Sequence, residues 1–458
     1  MKLESRHYFE PEFETMPMAE MRELQWQRMV EQLQRAAETP FYRRKLAAAG
    51  LDAAKVSRPE DIESWPLTTK DEICRDIEAF PPYGSRLRVA QDRIVDIVET
   101  SGTSGQGKEV HVLSRADRTR AFRIEAFGFV WAGLSPGGIV AITLPVAMTA
   151  AGNWWIMTLD RLDAMVLRLG NMDVDGKLDY MLRYQPHQLV GTPAYLSRLE
   201  RAAADRGLAP TEAFPALRSI LVSGEAKSPD WAISRSAAWG ARIYEQWGCS
   251  AGAVTWSCEE GMVDGDRRLR LMHGSPHLTY LEVLDPVTGR HVQDGEYGEV
   301  VITPLGTEAA PLARFATGDR ARYLEAHHCD CGRPFPGLEA GSVSRFDDMV
   351  KVKGVNVWPT AVAKVVEQHP EVIEHSVTVY ADSAGREQVR LDAVLAASGP
   401  GVASAGLADA LRRELRAGVG VTFQVELHDE GQTSVAGDVL QAASGKVRRW
   451  RDLRQAAG

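Results

Sequence analysis

Thr100-Ser101-Gly102-Thr103-Ser104-Gly105-Gln106-Gly107-Lys108 follows, after Glu99, the alternating run Ile94-Val95-Asp96-Ile97-Val98. An apolar period of two predicts a strand there. The glycines let the next turn reach φ > 0 and bring its backbone close to a ligand. Successive N–H groups, the hydroxyls of two Ser and two Thr, and one Lys would converge on an anion, a lining suited to polyphosphate. The Walker spacing G-x-x-x-x-G-K-[ST] is not met, because Glu109 follows Lys108. By itself such a stretch also reads as a flexible surface turn, so its meaning depends on its surroundings.

Outward from this loop the chain alternates between two periodicities. Residues 18–50 carry a helical stripe through Met21, Leu24, Met29, Leu33 and Ala36. A helix over Ala121–Trp131 precedes a buried strand over Gly138–Leu144. Helical Tyr180–Tyr184 and Leu196–Ala204 are interleaved with the apolar runs His187–Val190 and Leu217–Gly224. This βαβα order predicts parallel sheets with helices on their faces, up to about residue 255. Turn signals such as Asp285-Pro286 and Asp294-Gly295 then mark an antiparallel β region over Leu278–Pro304. Beyond Asp347 strands at Met349–Val352, Ser376–Tyr380, Val389–Ala396 and Phe423–Leu427, with helices at Pro359–Glu367 and around Leu407, Leu411 and Leu415, predict a small α+β unit. The expected division is 1–345 and 346–458 within an α/β fold.

Bulk properties narrow the partners. A formal charge of -9 argues against nucleic acid or an anionic membrane surface, and no run reaches the ~20 apolar residues of a membrane span. The N-terminus lacks a secretory apolar core, and five cysteines is an odd count, which points to the reducing cytoplasm.

Several constellations carry possible chemistry. Asp319 in Arg314-Phe315-Ala316-Thr317-Gly318-Asp319 sits on a tight turn where a carboxylate can accept ribose hydroxyls, though such a tripeptide is more often an ordinary turn. Tyr244-Glu245-Gln246-Trp247-Gly248 offers rings either for stacking a base or for core packing. Ser444-Gly445-Lys446, followed by Arg448 and Arg449, puts a cation on a turn where it could stabilise a transferring phosphate; a solvated tail is the plainer reading. Cys329 and Cys331 share a loop, and Cys258 with His273 lies on the preceding β segment, so three sulfurs and an imidazole make a closed tetrahedral Zn²⁺ set. His277 or His328 could replace His273, and reduced buried cysteines are the alternative.

In this order the motifs resemble the adenylate-forming superfamily of acyl-CoA synthetases, adenylation domains and luciferases, most closely its phenylacetate-CoA ligase branch. The resemblance runs from Phe13–Pro17 and Pro40–Arg44 to Ser444–Lys446, with its most specific stretch at Phe346–Pro359. It implies that Thr100, Ser101, Gly102, Thr103, Ser104, Gly105 and Lys108 belong to a phosphate loop. Gly224 and Glu225, together with Tyr244, Glu245, Gln246, Trp247 and Gly248, would form the adenine segments. Asp319 would bind ribose, Arg345 would contact the nucleotide, Asp347 would be a hinge, and Lys446 would assist adenylation. The implied reaction is attack of a carboxylate, expected to be aromatic or arylacetic, on the α-phosphate of ATP, with Mg²⁺, and then transfer to CoA. Trp154, Trp155 and Met148 are candidates for lining the acid pocket.

The chain also departs from that family. Ala251 follows Ser250 where the family has a Mg²⁺-holding Glu; Ala316 replaces an Arg and Ser344 a Gly; Leu144–Gly152 differs at the acyl pocket. These departures leave open a carrier-protein thiol, an amine or nitrite as acceptor, or a nucleotide-binding homologue of low turnover. A homodimer is compatible with the sequence.

Overall fold

The computed structural model describes residues 7–100, 108–145, 150–346, 349–382, 386–396, 404–429 and 449–454. The helical stripe of residues 18–50 resolves into two helices, Met18–Ala37 and Pro40–Ala49. The break follows from Thr39, which caps the second helix through its hydroxyl, and from Pro40 at the first helical turn. Met21, Met29, Leu33 and Ala36 are buried, as their spacing predicts. The helix expected at Ala121–Trp131 begins earlier, at Arg115, because Ser114 and Asp117 form a capping box.

Strands β1 (Asp96–Glu99) and β2 (Val110–Leu113) pair antiparallel, and the glycine-rich stretch lies between them in sequence. The strands β3 (Ile139–Ile142), β4 (Met165–Arg168), β5 (Gln188–Gly191), β6 (Ser219–Ser223) and β7 (Arg242–Cys249) are parallel, with the order β4-β3-β5-β6-β7. β5 and β6 are buried almost throughout because helices cover both faces, on one side Pro193–Asp205 and Pro229–Trp239 and on the other Arg115–Trp131, while the edge strand β4 leaves Met165 and Arg168 exposed.

The β region is not a separate sheet. From β7 the same 12-stranded sheet continues antiparallel through β8 (Ala253–Ser257) and β9 (Leu271–His273), and then through later strands in a different order. β10 (Thr279–Leu284), β11 (Tyr297–Pro304) and β12 (Phe315–Leu324) form the far edge, joined to β9 by β13 (Gly337–Glu339). One sheet therefore carries both the carboxyl ends of the parallel strands and the turn that holds Asp319.

The later residues build their own core. Val377, Val379, Val389, Leu391, Leu411, Leu415 and Phe423 are buried together. Strands Val372–Ala381 and Glu387–Leu395 pair antiparallel, and Gln424–Asp429 runs parallel beside Glu387–Leu395. A strand absent from the expectations, Trp450–Asp452, adds to the other edge parallel to Val372–Ala381. Three residues give too short a periodic signal to be read locally; the open sheet edge recruits them.

The start of the chain is pinned by charge. Arg333, with a fully buried side chain, donates to Glu14 at 2.7 Å, to Glu259 at 2.6 Å and to the His7 carbonyl at 2.8 Å. Trp131 Nε1 donates to the same Glu14 carboxylate at 2.8 Å. No helix among the described residues is long and apolar enough to cross a membrane.

Candidate active site and metal centre

Asp319 is where separate motifs converge. Gly318 adopts φ 73°, and a Cβ there would stand 3.0 Å from the Arg345 guanidinium, so both conformation and space call for glycine. The turn directs the Asp319 carboxylate toward Trp247 Nε1, which donates to Oδ2 at 3.0 Å, and toward Arg345, which reaches Oδ1 at 3.2 Å. Arg345 also donates to the Thr317 carbonyl at 2.9 Å, fixing its plane. Residues far apart in sequence thus hold one carboxylate, a preorganised acceptor for vicinal hydroxyls. Asp319→Asn is expected to raise the KM for ATP about 10- to 100-fold, the loss of one charge-assisted hydrogen bond, with a smaller effect on kcat. An unchanged KM for ATP would remove Asp319 from nucleotide binding.

Gly224 and Glu225 follow the carboxyl end of β6, beside the end of β7, where ligands bind in open parallel sheets. Gly224 takes φ 92°. The Glu225 carboxylate meets Lys227 at 3.6 Å and Arg449 at 2.8 Å. Burial alone would raise it, but these two cations hold it below the ordinary carboxylate range.

The β7 residues divide between roles. Tyr244 is buried in the core beside Val254 and Leu271, which supports core packing for its ring. Glu245 accepts the Gly341 N–H at 2.6 Å, and burial pushes its carboxyl up to about 8. Gln246 donates to Glu125 at 3.0 Å, and Gly248 is exposed. Neither Glu245, whose carboxyl burial pushes up to about 8, nor Glu225, already ion-paired, offers a free carboxylate in place of the one missing at Ala251. The residues present therefore do not reproduce the family's magnesium ligand.

Glu125 lies behind this strand. Its Oε2 accepts from Trp155 Nε1 at 2.9 Å and from Gln246 Nε2 at 3.0 Å, and complete burial pushes the carboxyl up to about 8 despite both donors. The folded protein thus retains a proton that the unfolded chain releases near 4.5. The associated stability is complete below that pH and is lost as pH rises toward 8. Glu125→Gln keeps an acceptor for both donors and should flatten a slope of up to about 1.4 kcal/mol per pH unit. Urea unfolding between pH 5 and 8 checks this; parallel curves for the two proteins would contradict it.

Trp154 is buried against Val98, Leu113 and Ala121 and lines a small cavity with Ala251 and Gly252. Trp155 is buried elsewhere, on Glu125. At the loop, Thr100 Oγ1 accepts the Glu109 N–H at 2.9 Å, and Lys108 meets Glu99 at 3.2 Å. Ser101, Gly102, Thr103, Ser104, Gly105, Met148, Asp347 and Lys446 lie outside the described residues.

The cysteines gather around His273 and not around His277 or His328. Cys258, His273, Cys329 and Cys331 present ligand atoms all within 4.8 Å of one another, and all four residues are buried. Cys258 Sγ stands 3.5 Å from Cys329 Sγ, and Cys331 Sγ stands 3.4 Å from His273 Nε2. His273 Nδ1 lies 2.7 Å from the Phe335 carbonyl, which holds its proton there and turns the Nε2 lone pair to the sulfurs. His277 is committed to Glu10 at 2.7 Å and His328 to Asp294 at 2.7 Å. The donor set fits tetrahedral zinc, with no open position for chemistry.

Residues 30–340 match the AMP-binding enzyme family, and the chain belongs to it. The phenylacetate-coenzyme A ligase of Thermus thermophilus is 27% identical over 98% of this chain and 100% of its own length. 2-Hydroxyisobutyryl-CoA ligase in the postadenylation state, at 24% identity, superposes with a TM-score of 0.87 over 100% of this chain and 94% of that one. Against an open conformation of the same ligase, also 24% identical, the TM-score is 0.70 over 99% of this chain and 96% of that one. These likenesses establish the fold, a large N-terminal part and a smaller C-terminal one.

Proposed function

We propose that this enzyme activates a carboxylic acid with ATP as its acyl adenylate and transfers the acyl group to the thiol of CoA. The observation that carries the reading is the convergence of Trp247 and Arg345 on Asp319 at the carboxyl ends of the parallel strands, in a chain of the AMP-binding family. Ribose hydroxyls bind Asp319, the Gly224–Glu225 turn and the β7 segment flank the base, and the glycine-rich stretch after β1 serves the phosphates. The acid is aromatic or arylacetic and enters beside Trp154 and Ala251, which line one cavity. Residues 346–458 turn as a unit between the two half-reactions. Mg²⁺ bound to the phosphates of ATP would offset their charge there; neither Glu225 nor Glu245 is placed to hold it. Zn²⁺ held by Cys258, His273, Cys329 and Cys331 is structural, and the need for reduced thiols suits the cytoplasm.

ATP–pyrophosphate exchange across a panel of aryl and arylacetic acids tests the first half, and mass detection of acyl-CoA with AMP tests the second. Exchange with no acyl-CoA would redirect the reading to another acceptor, a carrier-protein thiol, an amine or nitrite. Ala251 favours a second reading, a nucleotide-binding homologue of low turnover. Silence across the panel together with measurable ATP binding would support it.

A further inference from the structure

Two buried charge clusters join the two parts of the chain at the nucleotide segment. Arg449 donates to Glu225 at 2.8 Å and, on its other edge, to Glu374 of the strand Val372–Ala381 at 2.8 Å. Lys227 meets Glu367 at 3.0 Å, and the other Glu367 oxygen accepts the Ser228 N–H at 2.9 Å. The side chains of Lys227, Glu225, Glu367, Glu374 and Arg449 are all at most 17% exposed. Arg320 adds a third link, with its guanidinium 4.0 Å from the Tyr297 ring centroid and 4.8 Å from that of Trp358.

Such pairs are strongly directional, and breaking one leaves a buried charge without a partner. In one orientation of the C-terminal part they are satisfied inside the protein; in any other they must be solvated. Arg449 follows Lys446 by three residues in the sequence.

We propose that Arg449 and Glu367, through Glu225, Lys227 and Ser228, form an ionic latch that holds the C-terminal part in its adenylation orientation and is released for thioester formation. Arg449 and Glu367 are positioning residues: neither needs to touch the reacting phosphate. The proposal rests on the acyl-adenylate reading of the function. It places the latch on the adenine segment itself, where a nucleotide arriving or leaving perturbs Glu225 directly. The higher whole-chain likeness to a postadenylation state than to an open one accords with a latched orientation.

The test uses Arg449→Met and Glu367→Gln in the full-length protein, alone and combined, with Arg449→Lys as the conservative control. In the double variant, adenylate formation should fall roughly 10- to 100-fold. Thioester formation from supplied acyl adenylate and CoA should stay level or rise, and Arg449→Lys should retain most of the adenylation. A merely structural role would lower both half-reactions together, and parallel losses would overturn the latch. Small-angle scattering of the nucleotide-free proteins reads the orientation without chemistry. The double variant should show a larger maximum dimension, and a profile identical to the parent's would overturn the latch. If the parent adenylates no acid, the functional reading fails, and scattering alone decides the latch.

Discussion

Lys446→Ala is expected to slow acyl-adenylate formation by about 10²- to 10³-fold while leaving ATP affinity within a few-fold of the parent, on the order of the loss of one preorganised charge at a developing anion. As the carboxylate attacks and pyrophosphate departs, negative charge accumulates on oxygens that water no longer screens. A cation delivered there acts on the transition state more than on bound ATP, so its removal lowers kcat and kcat/KM together. The proposed ribose contact is a different group, the Asp319 carboxylate held by Trp247 and Arg345. Pyrophosphate exchange reports the chemistry, and calorimetry with ATP reports the affinity. Conversion of supplied acyl adenylate and CoA should survive the substitution, because that step does not involve the departing pyrophosphate. Undiminished exchange would remove Lys446 from the mechanism.

Stripping the metal, or replacing Cys331 with Ala, should cost at least about 4 kcal/mol of stability, in the range typical of a lost metal site. That corresponds to a Tm roughly 4 to 6 °C lower, because the entropy of unfolding grows with chain length. The four ligands come from distant places: Cys258 after β8, His273 at the end of β9, and Cys329 with Cys331 on one loop. A metal held there would therefore tie the antiparallel half of the sheet to the loop before β13. Next to it Arg333 gathers Glu14 and Glu259, so loosening the loop also loosens the start of the chain. Elemental analysis should give one zinc per chain, and melting with and without a strong chelator gives the shift. Molecules still folded should keep their exchange activity, because the ligand shell is closed to substrate. A metal-free protein that melts like the untreated one would end the structural role.

The chain's organisation was legible where the signal was local. The stripe through Met21, Met29, Leu33 and Ala36 shows in a few turns of sequence, and so do the apolar runs that became β3, β5 and β6. Boundaries slipped where a cap decided them, as at Ser114 with Asp117. Of the site, Asp319 stood out by its glycine turn and the cysteines by their spacing. The choice of His273 over His277 and His328 did not, since all three are equally plausible on paper; the Phe335 carbonyl on one side and Glu10 and Asp294 on the others decided it.

By itself the sequence determined the succession of helices and strands and the family grammar of its motifs. Each of these is encoded within a few residues by period, turn chemistry or spacing. Only the tertiary structure decided that parallel and antiparallel strands share one sheet, that Trp247 and Arg345 clasp Asp319, that burial raises the Glu245 and Glu125 carboxyls, and that Arg449 and Glu367 reach Glu225 and Lys227. Those outcomes depend on which distant groups are desolvated together. Burial and Coulomb interactions act through space, and sequence order does not carry the distances between such groups.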